Sequence, residues 1–104
     1  MIEANTTWDL FPDIDQEAYG EFAKKSIGAI LKAPGIVEFR ANRNMLGSPQ
    51  VRSTAVYRTL ADWACFTDSD EWRHLEAELR TFATNIRVEV WGPSPVLPEP
   101  VRPG

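Results

Sequence analysis

Gln50-Val-Arg-Ser-Thr-Ala-Val-Tyr-Arg58 runs into Thr59-Leu-Ala-Asp-Trp-Ala-Cys-Phe-Thr-Asp-Ser-Asp-Glu-Trp72, a helical stretch continues to about Ala83, and Asn85-Ile-Arg-Val-Glu-Val-Trp91 closes the segment. In the first run Val51, Ser53, Ala55 and Tyr57 alternate with Arg52, Thr54, Val56 and Arg58, the period of a strand. Leu60 to Phe66 predicts a short helix, and Asp68, Ser69 or Asp70 can cap the next. Trp72, Leu75, Leu79, Phe82 and Ala83 supply that second helix with an apolar stripe. In the closing run Ile86, Val88 and Val90 form the buried face, and Arg87, Glu89 and Trp91 point away. The segment therefore reads strand, helix, strand.

The preceding residues repeat that order. Ile2, Ala4, Thr6 and Trp8 alternate with Glu3, Asn5, Thr7 and Asp9, until Phe11-Pro12-Asp13 breaks the pattern. Asp13 or Asp15 can cap a helix with Glu17 in its first turn, and Tyr19, Phe22, Ala23, Ser26, Ile27 and Ile30 recur at helical spacing. Ala33-Pro34-Gly35 stops it. A strand follows with Val37, Phe39 and Ala41 on one face and Glu38, Arg40 and Asn42 on the other, and Asn44 to Pro49 makes a turn. The order β-α-β-β-α-β predicts an α+β, ferredoxin-like split β-α-β fold: a four-stranded antiparallel sheet with its helices on one face. The other sheet face would carry Glu38, Arg40, Asn42, Arg52, Arg58, Arg87 and Glu89 together with Ile36, Val56 and Trp91. A face of mixed charged and apolar groups suits burial against a second sheet, so a homodimer is expected.

The 104 residues suit one domain, with 43% hydrophobic and 25% charged residues. Residues 1–92 form the predicted domain. From Pro93 to Gly104 the chain holds five of its eight prolines and reads as an extended tail. The net charge is −4 and the longest basic pair is Lys24-Lys25, which argues against nucleic-acid binding through phosphate contacts. No apolar run approaches the roughly 20 residues of a membrane span, and Met-Ile-Glu-Ala-Asn lacks the pattern of a signal peptide. A cytoplasmic location is expected. Cys65, the lone cysteine, has no internal disulfide partner.

The order of elements, the run Val56 to Trp72, and Ala33-Pro-Gly-Ile-Val-Glu-Phe-Arg-Ala41 resemble the dimeric α+β barrel proteins, in particular the antibiotic biosynthesis monooxygenase-like domain. The resemblance spans roughly residues 1–92. It implies a homodimer whose two sheets form a barrel, with a pocket in each subunit between sheet and helices. Some members of that family are cofactor-free oxygenases of polycyclic aromatic molecules, others bind and degrade haem, and many have no assigned activity. The haem-degrading branch uses an Asn on the first strand, matched by Asn5, and a Trp in the short helix, where Phe66 stands here with Trp63 one turn earlier. Its haem-ligating His falls in register with Glu76. His74, the only histidine, sits two residues before, about 200° away around the helix.

Several residues are candidates for a site, each with a structural alternative. Asn5 could polarise an oxygen of a bound substrate or peroxide, or be a surface residue of its strand. Trp63, Phe66 and Trp72 could line a flat aromatic pocket, or pack helix against sheet. Tyr19 and Tyr57 could donate hydrogen bonds into that pocket, or be satisfied core tyrosines. No metal site is expected, because Asp68, Asp70 and Glu71 read as capping and surface charge. The first expectation is a cofactor-independent monooxygenase-like enzyme acting on, or binding, an aromatic or quinone-type small molecule. It requires a closed apolar cavity of at least ~300 Å³ reached by Asn5, Tyr57 and Trp63. The second is a non-catalytic homodimeric binding or structural protein, whose aromatics fill that space. A haem-binding monooxygenase ranks third.

Overall fold

The computed structural model describes residues 1–104. The elements follow as β1 (Ile2–Leu10), α1 (Gln16–Ile30), β2 (Ile36–Arg43), β3 (Val51–Tyr57), α2 (Leu60–Thr67), α3 (Asp70–Leu79) and β4 (Ala83–Trp91). The four strands form one antiparallel sheet in the order β2-β3-β1-β4. This is the α+β arrangement expected, with the second helical segment split into α2 and α3.

Each helix starts at a side-chain cap. Asp15 accepts from the backbone N–H groups of Glu17 and Ala18, Thr59 from that of Asp62, and Ser69 from that of Trp72. Such caps satisfy amide donors that the first turn leaves unpaired. Ser69 also donates its hydroxyl to the Phe66 carbonyl at 2.6 Å. One side chain thus ends α2 and begins α3, and the Phe66 and Trp72 rings meet at 5.6 Å.

The register places Ala4 opposite both Ala55 and Val90, and Asn5 opposite both Thr54 and Glu89. Because side chains alternate, Ala4, Thr6 and Trp8 face the helices and Glu3, Asn5 and Thr7 face away. Two apolar clusters fill the helix side. Ala4, Ile30, Ala33, Ala55, Tyr57 and Phe66 form one, and Trp8, Phe22, Leu75, Leu79 and Ala83 form the other.

Two local expectations need correction. Ile36 pairs with Tyr57 and Glu38 with Val56, leaving Val37 as the extra residue of a β-bulge. The bulge turns Ile36 inward, where it packs on the core, and leaves Val37 41% exposed. At the far end, Phe82 and Ala83 do not extend α3. Thr81 and Phe82 donate to the carbonyls three residues earlier, both at 3.0 Å, tightening the last turn. Pairing with β1 then captures the chain: Phe11 N–H bonds the Phe82 carbonyl at 2.9 Å and Ala83 pairs with Leu10. The Phe82 ring still packs on Tyr19 and Phe22.

From Pro93 to Gly104 there is no helix or strand, and every residue is exposed. No helix is long and apolar enough to cross a membrane.

Candidate functional site

Alternation along four strands and the apolar stripes of the helices leave space between the two layers. The larger cavity, about 450 Å³, is lined by Ala4, Thr6, Ile30, Phe39, Ser53, Ala55, Tyr57, Trp63, Phe66, Thr67, Trp72, Glu76, Val88 and Val90. A smaller one of about 130 Å³ extends toward Trp8, Tyr19 and Phe22. Both share Thr6, Ile30, Phe39, Ser53, Trp72 and Glu76 as walls, so they are two parts of one interlayer space. Val88, on the edge strand β4, lines the larger cavity and is 46% exposed, which makes this side open to solvent rather than closed.

The structure brings Tyr57, Trp63, Phe66 and Trp72 to the larger cavity and Tyr19 to the smaller. The Tyr19 hydroxyl accepts a hydrogen bond from the Trp8 indole at 3.3 Å. Tyr57 is 2% exposed and sits at the centre of one apolar cluster. Its hydroxyl makes no hydrogen bond within the protein, yet no fully enclosed side-chain polar atom is left without a partner. The hydroxyl therefore opens onto the cavity. Burial pushes the phenol up to about 12, so it stays protonated and able to donate at neutral pH.

Asn5 does not reach the cavity. It stands on the sheet face away from the helices and accepts a hydrogen bond from the Thr54 hydroxyl at 2.5 Å. The strand period decides this, since Ala4 and Thr6 hold the two inward positions on either side. His74 and Cys65 are exposed, and neither lines either cavity. No group of three or more His, Cys, Asp or Glu side chains could hold a metal ion.

Glu76 is the residue that sequence reasoning undervalued. It is the one acidic residue that lines the cavities, and no Lys, Arg, His or Cys joins it there. Its spacing contained the signal: Glu76 follows Trp72 by four residues and so shares its helical face. Arg80 donates to Glu76 Oε1 at 3.0 Å, again one turn further on.

On the outer face, Arg40 bridges Glu38 and Glu3, Arg52 donates to Asn42 at 3.1 Å, and Arg87 pairs with Glu89 at 3.4 Å. These charges thus have partners within the chain. Trp91 is 57% exposed on this face.

No family model matches the sequence, and no curated protein does. Solved structures match along nearly the whole chain. SnoaB from Streptomyces nogalater, described as a cofactor-independent oxygenase, superposes with a TM-score of 0.76 at 12% identity, covering 94% of this chain and 97% of its own. Rv0793 from Mycobacterium tuberculosis does so with a TM-score of 0.74 at 15% identity, covering 89% and 94%. A protein from Nitrosomonas europaea, provisionally named an antibiotic biosynthesis monooxygenase, reaches 0.71 at 15% identity, covering 88% and 97%. At these identities the likeness is one of fold: the chain has the α+β fold of the antibiotic biosynthesis monooxygenase-like proteins.

Proposed function

We propose that this chain is a small cofactor-independent monooxygenase-like protein that takes an aromatic, quinone-type molecule between its sheet and its helices. The observation that carries the proposal is the 450 Å³ cavity walled by Trp63, Phe66 and Trp72, onto which the Tyr57 hydroxyl opens. Its volume falls within the range of small-molecule sites. Flat aromatic walls stack on a flat guest, and a protonated tyrosine can donate to a ring carbonyl. SnoaB, with the same fold, is a cofactor-independent oxygenase, which favours oxygenation over other chemistries.

The proposal includes a cytoplasmic homodimer joined through the outer sheet face, where Trp91 stands exposed. Haem is a poor fit: no imidazole or thiolate lines either cavity, and Glu76 occupies the helical register expected for a ligating His.

The test uses 1-naphthol and dioxygen, which can give 1,4-naphthoquinone and water. Oxygen uptake and quinone absorbance above the protein-free rate are the expected result. Absence of both, with no binding of the naphthol, overturns the proposal. Binding without turnover favours the second reading, a non-catalytic binding protein. The position of Asn5 outside the cavity supports that alternative, because it removes the amide expected to polarise oxygen.

A further inference from the structure

We infer that the smaller part of the interlayer space holds dioxygen beside the aromatic guest, so that the two reactants occupy separate compartments; this rests on the oxygenase reading of the larger part. The smaller part measures about 130 Å³. Leu75 and Leu79 of α3, Phe22 and Ile27 of α1 and Val51 of β3 stand on its walls and not on those of the larger part. Three residues with polar side-chain atoms stand there as well, Trp8, Tyr19 and Ser26. Each has a partner inside the protein. The Trp8 indole donates to the Tyr19 hydroxyl at 3.3 Å, and the Ser26 hydroxyl donates to the Phe22 carbonyl at 2.9 Å.

A water held inside a protein needs about two to four hydrogen-bond partners. The polar side chains found only on these walls bond within the protein instead. An apolar space of roughly 150 Å³ stays dry and takes xenon or benzene. Left empty, such a space forfeits dispersion contacts along its lining, so a small apolar molecule gains by entering. Dioxygen is uncharged, apolar and small enough. The larger part, about 450 Å³, remains for the aromatic guest.

The two parts adjoin. Ile30, Phe39 and Trp72 wall both, so a ring stacked on Trp72 in the larger part lies next to whatever occupies the smaller. Thr6, Ser53 and Glu76 also stand on the shared wall, which leaves the end at Phe22, Leu75 and Leu79 as the more apolar region. Holding two reactants in adjoining compartments replaces a chance encounter with a fixed one.

The test uses dioxygen itself, whose paramagnetism speeds the nuclear relaxation of methyl groups near it. Methyl relaxation of the wild type is measured under dioxygen and under nitrogen at equal pressure, with and without saturating 1-naphthol. The buried Ala33 and Val56, which line neither part, serve as the reference. The equally buried Leu75 and Leu79 should gain at least about twofold more relaxation than these, because an apolar gas gathers where water is excluded. 1-Naphthol should leave that excess in place. Ala23→Leu, which adds bulk on a wall of the smaller part alone, should abolish it. A gain no greater than at Ala33 and Val56 overturns the inference. So does loss of the excess when the naphthol binds, which makes both parts one guest site, and so does an unchanged excess in folded Ala23→Leu. The wild-type measurements decide the matter even if that variant does not fold. If the naphthol fails to bind, the aromatic-guest reading falls, and the dioxygen comparison still decides whether the smaller part holds the gas.

Discussion

Asn5 and Thr54 face each other across the β1–β3 ladder on the outer side of the sheet, and the Thr54 hydroxyl donates to Asn5 Oδ1 at 2.5 Å. Thr54 is 1% exposed although it points away from the helices. The pair is a cross-strand polar contact, and its worth is structural. Asn5→Ala should cost about 1 kcal/mol in urea unfolding and leave naphthol binding unchanged. Loss of binding with unchanged stability would return Asn5 to the site.

Gly35 holds φ at +79°, and a Cβ there would collide with the Asp62 carboxyl group. Its carbonyl also accepts from Arg58 N–H at 2.9 Å, tying the turn before β2 to the end of β3. Gly35→Ala combines left-handed strain with a clash at the first turn of α2. It should lower stability by about 2 kcal/mol, seen as a lower denaturation midpoint with an unchanged slope.

Asp9 joins distant parts of the chain. It accepts from the Ser48 hydroxyl at 2.7 Å, the Asn85 amide at 3.1 Å and the Gln50 N–H at 2.9 Å. The Ser48 bond, followed by that of Asn85, holds its carboxyl below the usual range. A carboxyl lowered on folding stabilises the fold fully above its unfolded value of about 3.9. That contribution disappears as pH falls through the lower folded value. Asp9→Asn should therefore unfold with less acid dependence below about pH 4, measured by circular dichroism across an acid titration.

Tyr57 acts at the opposite end of the pH scale. Its phenol is pushed up to about 12 by burial. Between about pH 10 and the folded value, the unfolded chain releases a proton that the folded chain keeps, so rising pH favours unfolding. The slope should approach about 1.4 kcal/mol per pH unit. Tyr57→Phe should flatten it, at the cost of the cavity's donor hydroxyl.

Trp91 tests the proposed homodimer. It pairs with Glu3 near the end of β4 and stands 57% exposed on the outer face. Trp91→Ala should weaken self-association by at least about tenfold, as loss of a large aromatic anchor does, in sedimentation at micromolar concentration. A wild-type monomer under the same conditions would overturn the dimer.

The legible part of the site lay where periodicity spoke for itself. Trp63, Phe66 and Trp72 were placed near one another by their position in two short helices capped at Thr59 and Ser69, and all three line the larger cavity. Asn5 lies outside the cavity for a reason present in the sequence: it alternates with Ala4 and Thr6, so all three cannot face inward. Family likeness suggested the role, and the strand period opposed it.

Other features needed contacts between distant residues. Ile36 turns inward and Val37 is left exposed because β3 pairs with β2 through a bulge, which no local pattern announces. Phe82 and Ala83 continue the helical stripe, yet β1 claims their backbone for the sheet. Glu76 reads as a surface charge until α3 is laid against the interlayer space. The element order, the helix starts and the faces of most strands follow from local chemistry: caps, stop signals and the periods of 2 and 3.6. The cavity, the bulge and the placing of Glu76 and Tyr57 along one cavity are long-range outcomes. They depend on how closely two layers pack, and that distance is set only when all seven elements are in place.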